Sequence, residues 1–243
     1  MESVPRRTIA HIFGTPLVWR GWLSLPWLEV VLWGVLAWRA GRVRPQRSLA
    51  QRLGVGLLSV PFVIGWEWLH NFAHAGAARL AGRPMDALEV TAGTPICIYS
   101  LENHRGATPR QHMLRTLGGP LFNLAAMIVT RLLRALSRPG LARELLDLSV
   151  NANTFLGTAS LLPIPGIDGG PLLQWGLVAA GQSSEQAGEA VKKVDLALSP
   201  WLGLLAGWFF RRGHPLWGGW ALFFAATALA VGKGWMRGET RET

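Results

Sequence analysis

Apolar stretches of about twenty residues recur along this chain, and they limit its possible folds more than any other feature does. Only 16% of the 243 residues are charged, against about 25% in ordinary soluble domains. Glycine, proline and tryptophan are the main interruptions of the apolar stretches, and a soluble domain of this length would not need such stretches. We therefore expect an integral membrane protein surrounded by lipid, most simply a multi-pass protein of the cell membrane.

The apolar stretches predict about six membrane-spanning helices, because about 20 helical residues cross the hydrocarbon core of a bilayer. They cover about residues 23–38, 53–80, 117–133, 145–162, 194–210 and 216–231. Between the second and third stretches, two short segments of strand-forming residues flank a Gly-Thr-Pro turn at 93–95 and predict a β-hairpin. The expected fold class is an all-α polytopic membrane protein with a short β-hairpin insert.

The domain organisation follows from the same pattern. We expect a single membrane-embedded domain over residues 1–243, whose last two spans form a helical hairpin at about 194–231. Residues 1–7 are polar and basic, but the apolar stretch after them is interrupted by Arg20 and has no small-residue cleavage site. We expect no removable signal peptide.

The net charge of +10 raises the question of nucleic acid binding. The arginines, however, follow the ends of apolar stretches instead of forming one polar helix face, so contact with lipid headgroups is expected and nucleic acid is not. Arginine clusters at 39–52 and 131–143 predict that both segments lie on the cytoplasmic side, although residues 79–115 contain as many arginines as the first cluster. The single cysteine, Cys97, excludes an internal disulfide and a thiolate metal cage.

The second apolar stretch carries ionisable side chains deep in its sequence, which indicates function in a membrane helix. His70 and His74 lie one helical turn apart on the same face, as two imidazole ligands of one metal ion would. Buried histidines often only satisfy hydrogen bonds, so this spacing leaves both interpretations open. Asp168 follows in the Pro-Gly-rich segment 163–171, where an aspartate most often closes a turn with its own backbone.

Three groups of residues, in this order, resemble the motifs of the site-2 protease family of intramembrane zinc metallopeptidases. Residues 67–82 resemble the helix that carries the family's H-E-x-x-H motif. Gly119, Pro120 and Asn123 resemble its G-P-x-x-N element, and residues 161–170 resemble its L-L-P-x-P-x-x-D-G-G signature. Three such elements in the right order and spacing are far more specific than any one of them.

The resemblance covers about residues 53–180, and it implies one zinc ion bound by His70, His74 and Asp168. Three protein ligands with a fourth position left open are typical of a catalytic zinc site. Asn123 would then be a polar group that faces the open position.

Two residues depart from the family pattern. Asn71 stands where the family has its catalytic glutamate, and Ser160 stands where the family usually has an asparagine. An amide cannot accept a proton in the working pH range, and the loss of a general base typically costs about 10² to 10⁴ in rate. We therefore expect metal binding with little or no hydrolysis of peptide bonds.

Glu67 is a candidate for a substitute base, because it lies on the same helix face one turn before His70. Side chains lean toward the N-terminus of a helix, so Glu67 should point away from the reacting position or reach the metal as a fourth ligand. It could also support His70 through a hydrogen bond or pair with an arginine. These alternatives stay open.

The leading functional hypothesis is a proteolytically impaired family member, a pseudoprotease that binds zinc together with a transmembrane segment or a partner protein. One alternative is an active metallopeptidase that uses Glu67 or a base delivered by the substrate. Another is a metal-free structural membrane protein in which His70 and His74 only make hydrogen bonds. In the family, the strands equivalent to the hairpin can pair with an unwound substrate segment by strand addition, although here they could equally plug the cavity.

Overall fold

The computed structural model describes residues 6–235. The strands are β1 (Arg7–Ile12), β2 (Thr15–Trp19), β3 (Ala87–Thr91) and β4 (Thr94–Ile98). The helices are α1 (Trp27–Val43), α2 (Leu49–Ser59), α3 (Pro61–Leu80), α4 (Leu101–Gly106), α5 (Pro109–Leu136), α6 (Leu141–Thr158), α7 (Gly169–Ala179), α8 (Ser184–Arg211) and α9 (Pro215–Gly232). The first five residues, on which the signal-peptide expectation partly rests, lie outside the described residues.

The described chain divides into two compact units. The first unit extends to His104 and resumes at Gly118–Ala159, and the second comprises Arg105–Leu117 and the residues from Ser160 onward. The first unit therefore contains the sheet, α1 to α3, the first four residues of α4, most of α5, and α6. The second contains the first two turns of α5 together with α7, α8 and α9.

The sheet of the first unit has the strand order β1-β2-β3-β4. Strands β3 and β4 form the antiparallel hairpin that the sequence predicts. Strands β1 and β2 form a second hairpin, which the expected fold lacks, and β2 pairs in parallel with β3. The sequence signal for this second hairpin is Gly14 between two runs of strand-forming residues. Gly14 adopts a φ of +83°, a left-handed conformation that favours glycine.

One face of the sheet packs against α3. The buried core between them consists of small residues on the helix, Ala75 and Ala78, and larger apolar residues on the strands, Leu17, Leu88 and Val90. Because alanine side chains are short, the strands approach α3 closely along this face. This packing fixes the position of β4 beside the helix that carries the histidine pair.

Four stretches of the described chain are helical, long enough and apolar enough to cross a bilayer. They are Gly21–Val43, Leu49–Leu80, Pro109–Leu136 and Pro215–Gly232. Large apolar side chains such as Val31 and Leu132 are more than half exposed on these helices, which suits contact with lipid tails and not with water. The structure confirms a mostly helical membrane protein with a small sheet.

The other two expected spans, 145–162 and 194–210, fall mainly on α6 and α8 and stay predictions. Both helices carry acidic residues, Asp147 in α6 and Asp195 in α8, which lower their apolar character. In the second unit, α8 packs against both α7 and α9. Helix α8 begins with a capping box, in which Ser183 and Gln186 satisfy each other's backbone amides.

Two helices differ in extent from the expected spans. The second apolar stretch contains two helices, because α2 ends at Ser59 and α3 begins with Pro61, a residue suited to the first turn of a helix. Helix α5 begins at Pro109, earlier than expected, so Gly118, Gly119 and Pro120 lie inside a helix and not at its start.

Candidate metal centre

The two histidines of α3 lie side by side, as their spacing predicts. Both are buried, with 6% of His70 and 5% of His74 exposed. Their Nε2 atoms are 3.0 Å apart, and their ring planes are nearly perpendicular, at 81°. Two imidazole nitrogens that converge in this way can share either a proton or a metal ion.

Gly119 of α5 keeps the space beside these nitrogens clear. A Cβ atom at Gly119 would lie 2.4 Å from Nε2 of His74 and 2.6 Å from Nε2 of His70, which is closer than real contacts allow. The neighbouring Gly118 lets the helices meet, since a Cβ there would lie 2.6 Å from the carbonyl oxygen of Ala73. Only glycine at both positions permits this crossing of α3 and α5. The buried donor pair and the cleared space beside it fit a metal ion.

Behind His70, a chain of hydrogen bonds leads away from the histidine pair. Nδ1 of His70 is 2.5 Å from Oδ1 of Asn123. The amide nitrogen of Asn123 donates to Oδ1 of Asn153 over 2.7 Å, and the amide nitrogen of Asn153 donates to the carbonyl oxygen of Ser149 over 2.9 Å. Asn123 thus contacts the ring nitrogen of His70 that faces away from His74.

Asn153 belongs to the site although its sequence context suggested no role for it. The sequence signal for Asn153 is an asparagine in the middle of an apolar stretch, where a polar side chain is costly unless it makes a contact. The structure shows that this asparagine is fully buried.

The amide of Asn71 is held by two neighbours within the first unit. Its nitrogen donates to the carbonyl oxygen of Glu67 at 2.9 Å and to the carboxylate oxygen Oε1 of Glu67 at 3.2 Å. Its oxygen accepts from Sγ of Cys97 at 3.4 Å. Cys97 reaches Asn71 because β4 packs against α3. The carboxylate of Glu67 therefore lies next to the side chain of Asn71.

Asp168 and Ser160 lie in the second unit. Ser160 is part of a short 3-10 turn, and Asp168 directly precedes α7 without capping it in the described chain. The tight turn depends on the two glycines after Asp168. A Cβ at Gly169 or Gly170 would lie 2.1 Å or 2.5 Å from a carbonyl oxygen of the preceding segment. The two glycines after Asp168 are therefore required by the close approach of the preceding backbone, which leaves no space for a side chain.

Comparison with known proteins gives one informative result. No protein-family model and no curated protein matches the sequence. Among solved structures, the fold is similar to that of a site-2 protease from Methanocaldococcus jannaschii, with a TM-score of 0.53 over 91% of this chain and 94% of that chain. The two sequences are 14% identical, so the similarity concerns the fold alone. It agrees with the fold that the motif resemblance implies.

Proposed function

We propose that the chain is a site-2-protease-like, multi-pass protein of the cell membrane that binds one zinc ion but hydrolyses peptide bonds poorly or not at all. In this proposal it retains the ability to bind a transmembrane segment or a partner protein. The observation that carries the proposal is Asn71, an amide next to a buried pair of converging imidazoles. The motif resemblance implies that this is the position of the family's catalytic glutamate.

The proposed ligands are His70, His74 and Asp168, the set that the motif resemblance implies. Two imidazoles and one carboxylate are typical ligands of a catalytic zinc site. Support comes from the convergence of the histidines and from the space that Gly119 leaves beside them. When bound with one open position, zinc supplies Lewis acidity to a carbonyl group and to water.

The impairment follows from the chemistry of Asn71. An uncharged amide neither takes up nor releases a proton near neutral pH, so Asn71 cannot move protons between water and a leaving amine. Its nitrogen is already engaged by Glu67 and its oxygen by Cys97. The expected loss of rate, relative to a glutamate at this position, is about 10² to 10⁴.

Binding of a partner does not need proton transfer, and the sheet offers a means for it. Strand β4 lies at an edge of the four-stranded sheet, and Ile96 in that strand is 46% exposed. An edge strand can pair with an extended segment of another chain through main-chain hydrogen bonds. We propose this edge for recognition of an unwound membrane segment.

A second candidate function, an active metallopeptidase, is favoured by the position of Glu67. Its carboxylate lies 3.2 Å from the amide nitrogen of Asn71, so a proton acceptor stands beside the position of the missing glutamate. In this alternative, Glu67 replaces the lost base.

The two candidates are separated by measuring zinc content and peptide cleavage on the same detergent-purified sample, with a panel of membrane-segment peptides as substrates. The impaired protein should hold zinc and cleave these peptides poorly or not at all. A wild-type sample that cleaves a peptide, and loses this activity in Glu67→Gln while keeping its zinc, would establish the second candidate in place of the first.

A further inference from the structure

The hydrogen-bond chain behind His70 has a direction, which is fixed at its far end. It ends on the carbonyl oxygen of Ser149, a group that can only accept a hydrogen bond. Asn153 must therefore turn its NH₂ group toward Ser149 and its oxygen toward Asn123. Asn123 in turn must present its NH₂ group to that oxygen, which leaves its own oxygen facing Nδ1 of His70.

An oxygen that faces Nδ1 requires a proton on that nitrogen. Because the amide oxygen of Asn123 can only accept, the contact of 2.5 Å is a hydrogen bond only if Nδ1 of His70 carries the hydrogen. A neutral imidazole has one such hydrogen, so Nε2 of His70 keeps its lone pair. That lone pair points toward Nε2 of His74, the side on which the proposed metal would bind.

We propose that Asn153 is a positioning residue for the metal centre, which acts through Asn123 to hold His70 in the tautomer that can bind metal through Nε2. The metal-binding part of this inference rests on the proposed function. The tautomer itself does not, because the hydrogen bonds that set it exist without a metal.

Burial makes the orientation rigid. Asn123 and Asn153 are both fully buried, and a buried amide group that loses its partner is costly. Two uncharged amides can fix the tautomer without placing a charge in the helix bundle, where charges are expensive. Without the oxygen of Asn153, the NH₂ group of Asn123 would have no acceptor there, and the Asn123 amide could rotate. A rotated Asn123 would then favour the tautomer with the hydrogen on Nε2.

The experiment uses the full chain, labelled with ¹⁵N-histidine, in detergent micelles without metal. The chain contains six histidines, and His70→Gln identifies the His70 signals. The wild-type spectrum should show the hydrogen of His70 on Nδ1. A hydrogen on Nε2 in the wild type would overturn the proposal without any further variant.

Variants of Asn153 then test the connection. Asn153→Leu should give a mixture of His70 tautomers and weaken binding of added zinc by up to about 10-fold. This is the lower end of the usual effect of removing a direct partner of a ligating histidine, because Asn153 acts through Asn123. Asn153→Asp, as the protonated acid, can still donate to Ser149 and keeps an oxygen toward Asn123, so it should preserve the tautomer. The control is Thr154→Val on the same helix, because the Thr154 hydroxyl bonds only within α6 among the described contacts, to Val150. This control should change neither quantity.

The outcomes distinguish this inference from the proposed function. If zinc binds to the wild type, and neither the tautomer nor the zinc affinity changes in Asn153→Leu, the positioning role is wrong while the metal site stands. If the wild type binds no zinc but shows the Nδ1 hydrogen, and loses it in Asn153→Leu, the positioning of His70 is supported and the proposed metal function is wrong.

Discussion

Two of the deeply buried histidines have very different surroundings, His70 in the first unit and His112 in the second. Their exposed fractions are 6% and 2%. His70 directs Nε2 toward another imidazole and has Nδ1 held by an uncharged amide. The ring of His112 lies flat against Trp175, with centroids 3.7 Å apart and planes 4° from parallel, and its Nδ1 is 2.7 Å from the guanidinium of Arg115.

The difference indicates that burial alone does not suit a histidine to metal binding, and that the groups in contact with its ring matter as well. The guanidinium beside His112 occupies one ring nitrogen and places a fixed positive charge next to it, which disfavours a bound cation. The described contacts of His70 are with an imidazole and an amide, and its Nε2 converges with that of His74 on a space that Gly119 keeps clear. We therefore propose a structural role for His112 and a ligand role for His70.

The largest expected effect concerns the one group that the histidine pair lacks. Asn71→Glu supplies a carboxylate beside the pair, and it should raise cleavage of a membrane-segment peptide by about 10² to 10⁴ over the wild type. Cleavage is measured by mass spectrometry of the products, with Asn71→Gln as the amide control of matched size. Because Ser160 departs from the family pattern as well, the double variant with Ser160→Asn gives the stronger test.

A double variant that binds zinc normally and cleaves no peptide would show that the missing glutamate is not the only block. Activity in Asn71→Gln equal to that of Asn71→Glu would contradict the role of the carboxylate.

A smaller effect is expected at Gly119, which keeps the space beside His70 and His74 clear. Gly119→Ala places a methyl group within 2.4 Å of Nε2 of His74, and the rings must move apart. Zinc affinity, measured by competition with a chelator, should fall by roughly 10- to 100-fold. Gly65→Ala on α3 is the matched control, since a Cβ there meets nothing within 4 Å. Equal affinities in the two variants would contradict the cleared space as part of the site.

The smallest effect on metal binding is expected at His112. His112→Phe keeps the ring stacked on Trp175 but removes the hydrogen bond to Arg115. It should leave zinc affinity within about twofold of the wild type and lower the stability by about 1–3 kcal/mol, the usual cost of a buried polar group that loses a partner. Thermal unfolding in detergent measures the stability. A loss of zinc as large as in His70→Phe would contradict the contrast between the two histidines.

Much of the fold follows from local sequence patterns. The long apolar stretches predict the membrane helices, and the residues around the Gly93 turn predict the β3–β4 hairpin. The parallel pairing of β2 with β3 joins residues about 70 positions apart, and no local pattern specifies such a partner. The continuation of α5 through Gly118, Gly119 and Pro120 could not be predicted from the local sequence either. Glycine and proline usually mark a helix end, and only the close crossing with α3 explains them inside one.

In the candidate site, too, some contacts follow from local spacing and others depend on tertiary packing. The spacing of His70 and His74 predicts their convergence, because both lie on one helix. This prediction needs no knowledge of the tertiary structure. The contacts of Asn153 with Asn123, and of Cys97 with Asn71, depend on how separate elements pack. Such contacts cannot be read from spacing along the chain.

The metal content of the purified chain tests the central claim most directly. We expect about one zinc ion per wild-type chain in mild detergent, because two imidazoles one helical turn apart and a carboxylate are typical zinc ligands. His74→Ala and Asp168→Ala should each abolish this zinc, whereas His112→Phe should retain it. A wild-type chain without zinc, or full zinc content in both ligand variants, would contradict the assignment of His70, His74 and Asp168 as a metal centre.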